Sequence, residues 1–119
     1  MVASPTDWQD AEELVAAALR QFGFSKARRT PAGADHGLDV VGPGIAAQVK
    51  YTSAAVGRPV LQQLQGAAGG ARTAFFSRSG YSSTAAVYAD SVSMALFVVT
   101  LPTSVSAFNA EARRMIQGR

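Results

Sequence analysis

The chain has 119 residues, 48% of them hydrophobic, which suits one compact domain over residues 1–119 with a substantial core. It has no cysteine and one histidine, which excludes disulfides and metal sites built from thiolates or several imidazoles; a metal must be held mainly by oxygen ligands, as Mg²⁺ and Mn²⁺ are. The net charge of +3 excludes a strongly basic tail and favours a nucleic-acid partner only slightly.

The first half of the chain predicts a helix followed by a three-stranded meander. The helix is expected over 6–22, with Ser4 or Thr6 as its start signal and Gly23 as its end. Strands are expected over 24–30, 37–41 and 45–51, with the last two joined by a turn around Gly42-Pro43-Gly44.

The second half predicts strands that alternate with helices. The expected elements are a helix over 59–68, a strand over 73–77, a helix from 82 or 83 to about 92, a strand over 94–100 and a helix over 103–117. A meander followed by such alternation indicates an α/β fold, with a central mixed β-sheet flanked by helices on both faces.

The alternation of side chains along the predicted hairpin decides whether three polar residues share one face of the sheet. Gln48 and Lys50 fall on one face of their strand. Asp39 joins that face if the loop holds an even number of residues or a bulge shifts the register; a four-residue loop would place Asp39 opposite Gln48. A surface hairpin whose polar residues merely face water explains the same pattern, and the strands alone leave both interpretations open.

A carboxylate, an amide and an ammonium group on one face suit phosphodiester hydrolysis. That reaction needs a cation to neutralise charge on the phosphoryl oxygens, and an activated water. Asp39 can bind the cation, while the side-chain oxygen of Gln48 and the main-chain carbonyl of Val49 can add neutral ligands. Lys50 can orient the attacking water or balance the developing charge.

The first helix adds one more carboxylate. At ~100° per residue, its apolar stripe contains Trp8, Ala11, Val15, Ala18, Leu19 and Phe22. Glu12 lies at the edge of this stripe, where it must reach solvent or find a partner, since burying an unpaired carboxylate is costly. A metal shared with Asp39 would be such a partner.

An ordered set of short motifs then runs through most of the chain. It comprises Ala11-Glu12, Leu14-Val15, Leu19, Gly23-Phe24, Asp35-His36-Gly37-Leu38-Asp39, Gln48-Val49-Lys50, Leu64-Gln65-Gly66-Ala67, Phe75-Phe76-Ser77, Ser79-Gly80-Tyr81, Ala85-Ala86 and Phe97-Val98-Val99. This set resembles the Mrr-type restriction endonuclease catalytic domain. That family belongs to the PD-(D/E)XK nuclease superfamily, in its variant with Gln in place of the acidic residue of the third motif.

The resemblance implies a restriction-endonuclease-like fold and a metal-dependent endonuclease that hydrolyses DNA, with Mg²⁺ as cofactor and duplex DNA as substrate. It makes Asp39 the metal ligand, Gln48 the variant ligand and Lys50 the catalytic lysine. Glu12 would be the helix carboxylate that holds metal-bound water. Such enzymes usually carry a separate recognition domain, so we expect recognition to come from another domain or partner chain.

Two alternatives to this function stay open on the same fold. One is a structure-specific nuclease of the Holliday-junction type. The other is a catalytically idle DNA-binding or assembly module that has kept the residues of the site.

The candidates for DNA contact are more scattered. Arg28, Arg29, Arg58 and Arg78 are candidates to track a DNA backbone, although scattered surface arginines usually have no specific role. Ser79 and Tyr81 precede a predicted helix, where free amides can hold phosphate; ordinary helix capping explains them equally. Asp35 and His36 are candidates to supplement the metal site, although a polar strand entrance also accounts for them.

Cutting both strands of a duplex is easiest with two sites related by a two-fold axis, so we expect a homodimer. The predicted contact is the last helix, because Phe108, Met115 and Ile116 exceed what a solvated helix needs. No apolar run approaches the roughly 20 residues that cross a bilayer, and the polar start is unlike a secretory signal. We therefore expect no membrane contact and a cytoplasmic location.

Overall fold

The computed structural model describes residues 7–31 and 37–118, and these ranges form four helices and six strands. In chain order the elements are α1 (Asp7–Gln21), β1 (Arg28–Arg29), β2 (Val40–Gly42), β3 (Ile45–Lys50), α2 (Arg58–Ala67), β4 (Arg72–Ser77), α3 (Ser83–Ser91), β5 (Ala95–Thr100), β6 (Ser104–Ala107) and α4 (Ala110–Gly118).

The six strands form one mixed sheet in which spatial order follows chain order. Strands β1, β2 and β3 are an antiparallel meander, β3, β4 and β5 run parallel, and β6 is antiparallel to β5. Helix α2 connects β3 to β4, and α3 connects β4 to β5. The carboxyl ends of the three parallel strands therefore meet at one edge of the sheet, where ligands of open α/β sheets usually bind.

Helices cover both faces of this sheet, as the sequence predicts. Helices α1 and α4 pack on one face, around the stacked rings of Phe76 and Phe97, whose centroids are 4.5 Å apart. Helices α2 and α3 pack on the other face, against Phe75 and Leu96. Each fully buried side chain of this size contributes about 1.5–3 kcal/mol relative to exposure, so both layers are anchored at the centre of the sheet.

The buried face of α1 is broader than its apolar stripe. Ala11, Val15 and Leu19 are buried as expected, but Ala16 is buried too, so the inward sector extends past Glu12. Trp8, the first residue of the apolar stripe, is 45% exposed. Trp8 has the inward angle but lies in the first turn, at the rim of the core.

The strand expected over 24–30 is much shorter in the structure. The Phe24 N–H donates to the Leu19 carbonyl at 3.0 Å, and the Ala27 N–H donates to the Phe24 carbonyl at 3.0 Å. These bonds fold the chain into turns after α1, so only Arg28 and Arg29 remain to pair with β2.

The single helix expected over 103–117 was wrong. The structure has an edge strand, β6, followed by the shorter helix α4. In β6 the exposed Ser104 and Ser106 alternate with the half-buried Val105 and Ala107, which is the period of a strand and not of a helix. Asn109 starts α4, because its Oδ1 accepts the Ala112 N–H at 3.0 Å.

No helix in the two described ranges combines the length and the hydropathy that a membrane span requires.

Candidate functional site

The β2–β3 hairpin sets the position of Asp39. Its turn consists of Pro43 and Gly44, and Gly44 has the positive φ of 79° that such a tight turn requires. Val40 pairs with Ala47 across the hairpin. The loop thus holds two residues instead of four, but the number is even. The strand pairing ends at Val40, and the Asp39 N–H donates to the Ala47 carbonyl at 2.9 Å, so the ladder is irregular at Asp39.

One carboxylate oxygen of Asp39 takes part in the sheet itself. Asp39 Oδ2 accepts the Val49 N–H at 2.8 Å, just beyond the point where β2 stops pairing. The Lys50 carbonyl points toward β4 and accepts the Arg78 N–H at 3.0 Å. Because peptide groups alternate in direction along a strand, the Val49 carbonyl points the other way, toward Asp39.

Glu12 reaches the same place from α1. It is 8% exposed, and its carboxyl group lies within hydrogen-bonding reach of Asp39. Burial raises the pKa of Glu12, and the neighbouring charge of Asp39 raises it further, while Arg29 lowers it in part. Burial also raises the pKa of Asp39, and this prevails over the lowering effects of the Val49 N–H, Glu12, Lys50 and Arg29. The two carboxyl groups therefore lie together, with Glu12 buried and Asp39 partly buried.

Lys50 and Gln48 complete the predicted group. Lys50 lies exposed at the end of β3, close enough for its positive charge to act on Asp39. The amide of Gln48 lies beside Gly37, where an added Cβ would be 3.6 Å from Gln48 Nε2. Gly37 has a φ of 90°, so the chain leading to Asp39 turns in a conformation that favours glycine.

Arg29 belongs to this site, although the sequence predicts it as a DNA contact. Its Nε and Nη2 donate to Glu12 Oε1 at 3.2 and 3.1 Å, and its Nη1 donates to Glu13 Oε2 at 3.0 Å. Arg29 pairs with Val40 in the register, which places it on the face that α1 covers. This contact is predictable from the sequence only if the β1–β2 register is already known.

The other predicted arginines are exposed. Arg28 pairs with Val41, which pairs with Ala46, so Arg28 falls on the sheet face that carries Lys50. Arg58 begins α2. The Arg78 guanidinium lies 5.3 Å from the centroid of the Tyr51 ring, at the carboxyl end of the parallel strands.

Ser79 and Tyr81 make hydrogen bonds within the fold. The Ser79 N–H donates to Ser77 Oγ at 3.1 Å, and Ser79 Oγ donates to the Thr52 carbonyl at 2.6 Å. The buried Tyr81 hydroxyl lies 2.9 and 2.7 Å from the carbonyls of Phe75 and Phe97, and burial raises its pKa. Residues Ser4, Thr6, Asp35 and His36 lie outside the described ranges.

The predicted dimer contact needs one correction. Met115 is 2% exposed and packs in the core beneath α4, so it is not free to meet a second chain. Phe108 and Ile116 are 41% and 42% exposed. Phe108 precedes α4 and packs against Tyr81, with 4.9 Å between the ring centroids.

The donor set fits a hard divalent cation. Within residues 7–31 and 37–118, no three or more His, Cys, Asp or Glu side chains cluster as metal ligands. The carboxyl groups of Asp39 and Glu12 adjoin each other, and the Val49 carbonyl is directed to the side of β3 on which Asp39 lies; Gln48 precedes Val49 in the strand. Oxygen donors with two carboxylates suit Mg²⁺ or Mn²⁺.

Comparison with known proteins relates this architecture to others. No curated protein matches the chain significantly. A solved structure titled "Protein of Unknown Function AF1548" superimposes with a TM-score of 0.58 at 16% identity, over 81% of this chain and 60% of that one. The chain thus spans less than two thirds of that protein, with which it shares a fold. Residues 4–102 match the restriction endonuclease family Mrr_cat. The chain therefore belongs to the Mrr-type restriction endonuclease family.

Proposed function

We propose that the chain is the catalytic domain of a divalent-metal-dependent endodeoxyribonuclease, which hydrolyses phosphodiester bonds in DNA. The observation that carries the proposal is the placement of Asp39. One of its oxygens is fixed by the Val49 N–H at 2.8 Å, its carboxyl adjoins the buried Glu12, and the charge of Lys50 acts on it. Family membership supports the same reaction class.

Four groups would hold Mg²⁺ or Mn²⁺: the free oxygen of Asp39, the Val49 carbonyl, the Gln48 side-chain oxygen and Glu12, directly or through water. When bound, the ion would neutralise charge on the phosphoryl oxygens and lower the pKa of water. Glu12 and Asp39 supply the negative charge that attracts it, and Gln48 adds a ligand without charge.

Lys50 acts on the reacting phosphate in this proposal. It is exposed at the end of β3, so its ammonium group can donate to a phosphate oxygen or to the attacking water. A fixed cation at this position stabilises the charge that builds up in the transition state. Removing it should affect the chemical step more than the binding of DNA.

DNA would approach from the side that carries Lys50. Arg28 shares that sheet face by register, and Arg78 follows β4 directly beside the end of β3. Arg58, exposed at the start of α2, extends the positive surface. Contacts of this kind position the duplex without reading its sequence. We leave Arg29, Ser79 and Tyr81 out of this surface, because their donors are already bonded within the chain.

The finer expectations form part of the proposal. Two copies would supply one site for each strand of a duplex, with Phe108 and Ile116 as the exposed apolar residues of the C-terminal region. Recognition would come from another domain or partner chain, and the protein would act in the cytoplasm. Light scattering with and without DNA tests the dimer, and a monomer under both conditions contradicts it.

Plasmid cleavage with Mg²⁺ or Mn²⁺, compared with EDTA, tests the activity. Asp39→Ala should abolish cleavage and metal binding together. Lys50→Ala should abolish cleavage and leave metal and DNA binding largely intact. Lys26→Ala, at an exposed position in the turn before β1, is the matched control for Lys50→Ala and should cut normally.

Other results of the cleavage assay would contradict the mechanism or favour one of the two alternative functions. If Asp39→Ala cuts as well as the unmodified protein, the mechanism is wrong. Binding of DNA without cleavage under every metal condition would favour the idle module. Strong preference for a branched over a linear duplex would favour the junction nuclease.

A further inference from the structure

We propose that Arg29 is a built-in counter-cation of the metal site, which holds the carboxylates in place without metal and weakens their affinity for a divalent ion. This inference rests on the proposed function. It assigns Arg29 a positioning role toward the ion, in place of the contact with DNA that its sequence context suggests.

The geometry of Arg29 is that of a bridging cation. Two of its nitrogens bind the same oxygen of Glu12 at 3.1 and 3.2 Å, and the third binds Glu13 at 3.0 Å. The Glu12 side chain is 11% exposed and that of Glu13 is 63% exposed. The guanidinium therefore spans from the buried site to the surface of α1.

The contact between Arg29 and Glu12 orders the site in the metal-free protein. The buried carboxyl group of Glu12 lies beside the partly buried one of Asp39, and burying such groups without a counter-charge is costly. Arg29 supplies that charge directly to Glu12, and its field also reaches Asp39. Glu12 is thus held against the sheet in a fixed orientation before any ion arrives.

The contact between Arg29 and Glu12 also disfavours the binding of a divalent ion. A divalent ion bound by Asp39 and Glu12 would lie within a few ångströms of the guanidinium, and like charges at that distance repel. An incoming ion must share Glu12 with Arg29 or displace it. Glu13 provides a second anchor, so Arg29 can lose its bonds to Glu12 and stay attached to α1.

A purely structural ion pair would behave differently. It would stabilise the fold and help to order Glu12, so its removal would leave metal affinity unchanged or lower it. A counter-cation that competes with the ion predicts the opposite sign for metal affinity, although both interpretations predict a loss of stability without metal. The sign of the change in affinity therefore separates the two roles.

The test compares Arg29→Gln with the unmodified full chain. Mg²⁺ affinity is measured by calorimetry, Mn²⁺ affinity by the electron paramagnetic resonance signal of the free ion, and unfolding temperature with and without each ion. Removing one nearby positive charge should tighten binding by roughly threefold to tenfold. The metal-free protein should melt lower, and the rise in melting temperature on adding metal should be larger.

Two further variants serve as controls. Lys26→Gln removes one positive charge from an exposed position in the turn before β1, and should change metal affinity much less. Arg29→Lys keeps the charge and should stay close to the unmodified affinity.

The failures of this inference and of the proposed function are distinguishable. If the unmodified protein binds metal and cuts DNA, but Arg29→Gln binds metal equally or more weakly, Arg29 is a structural ion pair and this inference is wrong. Equal tightening in Lys26→Gln would also overturn it, since net charge would then be the cause. If the unmodified protein neither binds metal nor cuts, the proposed function fails, and this inference fails with it.

Discussion

Asn109 is the residue whose replacement should cost the fold most for its size. It is 8% exposed and joins β5, α3 and α4 through both ends of its amide. Oδ1 accepts the Leu96 and Ala112 N–H groups, each at 3.0 Å. Nδ2 donates to the Met94 carbonyl at 2.9 Å and to Asp90 at 3.2 Å.

Asn109→Ala leaves two buried main-chain groups of the β5 region without a partner and removes the cap of α4. At about 1–1.5 kcal/mol for each buried group and ~1 kcal/mol for the cap, the loss is about 3–4 kcal/mol. Total stability of a domain is of the order of 5–15 kcal/mol, and each kcal/mol corresponds to about 4 °C at this length. We therefore expect a fall in melting temperature of roughly 12–16 °C.

Urea unfolding of the unmodified protein, Asn109→Ala and Asn109→Ser measures this loss. Serine can cap α4 but cannot also span the distance to Leu96 and Met94, so it should recover only about 1 kcal/mol. A loss below 1 kcal/mol for Asn109→Ala, or full recovery by serine, would refute the reasoning. The result also shows whether the residues beyond the family match, which ends at 102, are integral to the fold.

Three further predictions concern the site. Burial raises the pKa of Asp39, so the stability that its protonated form contributes is present below the ordinary value of about 3.9 and is lost as pH rises through the raised value. Asp39→Asn should accordingly raise the free energy of unfolding at pH 7, and the gain should shrink toward pH 4; melting curves that show no gain at pH 7 would contradict this. Gln48→Glu should tighten Mg²⁺ binding in calorimetry, because it adds a charged ligand, and weaker binding would argue against Gln48 as a ligand. Gly37→Ala and Gly44→Ala, at positive φ, should each cost about 1 kcal/mol in urea unfolding. Only Gly37→Ala should also lower metal affinity, since only there does the new Cβ meet Gln48.

The hairpin was predictable because its turn and its alternation act over a few residues. Gly42-Pro43-Gly44 marks the turn, and any even loop centred there gives one register, whether two or four residues are counted as loop. That register places Asp39 beside the β3 strand that carries Gln48, although the ladder becomes irregular at Asp39 itself. The position of Glu12 followed from helical periodicity, although the burial of Ala16 placed it deeper than expected.

The C-terminal region was not predictable in the same way. The stretch 103–117 contains enough apolar residues for a helical pattern, and the four residues of β6 are too few for their alternation to stand out. Their strand conformation depends on pairing with β5, which is a tertiary contact. The ion pairs of Arg29 were missed for a related reason, since they depend on how α1 lies over β1.

In the proposed mechanism, the two carboxylate oxygens of Asp39 have different roles, one in the strand pairing and one toward the metal. One oxygen completes the sheet by accepting the Val49 N–H, and an asparagine oxygen can do the same. The exchange of Asp for Asn needs one nucleotide change and removes the charge while the strand pairing persists. Under the proposed mechanism, a lineage of such proteins would lose cleavage in one mutational step without refolding, and the inactive descendant would keep its core and its proposed DNA-facing surface. Selection would then preserve Asp39 through activity alone, because the change from Asp to Asn does not destabilise the fold.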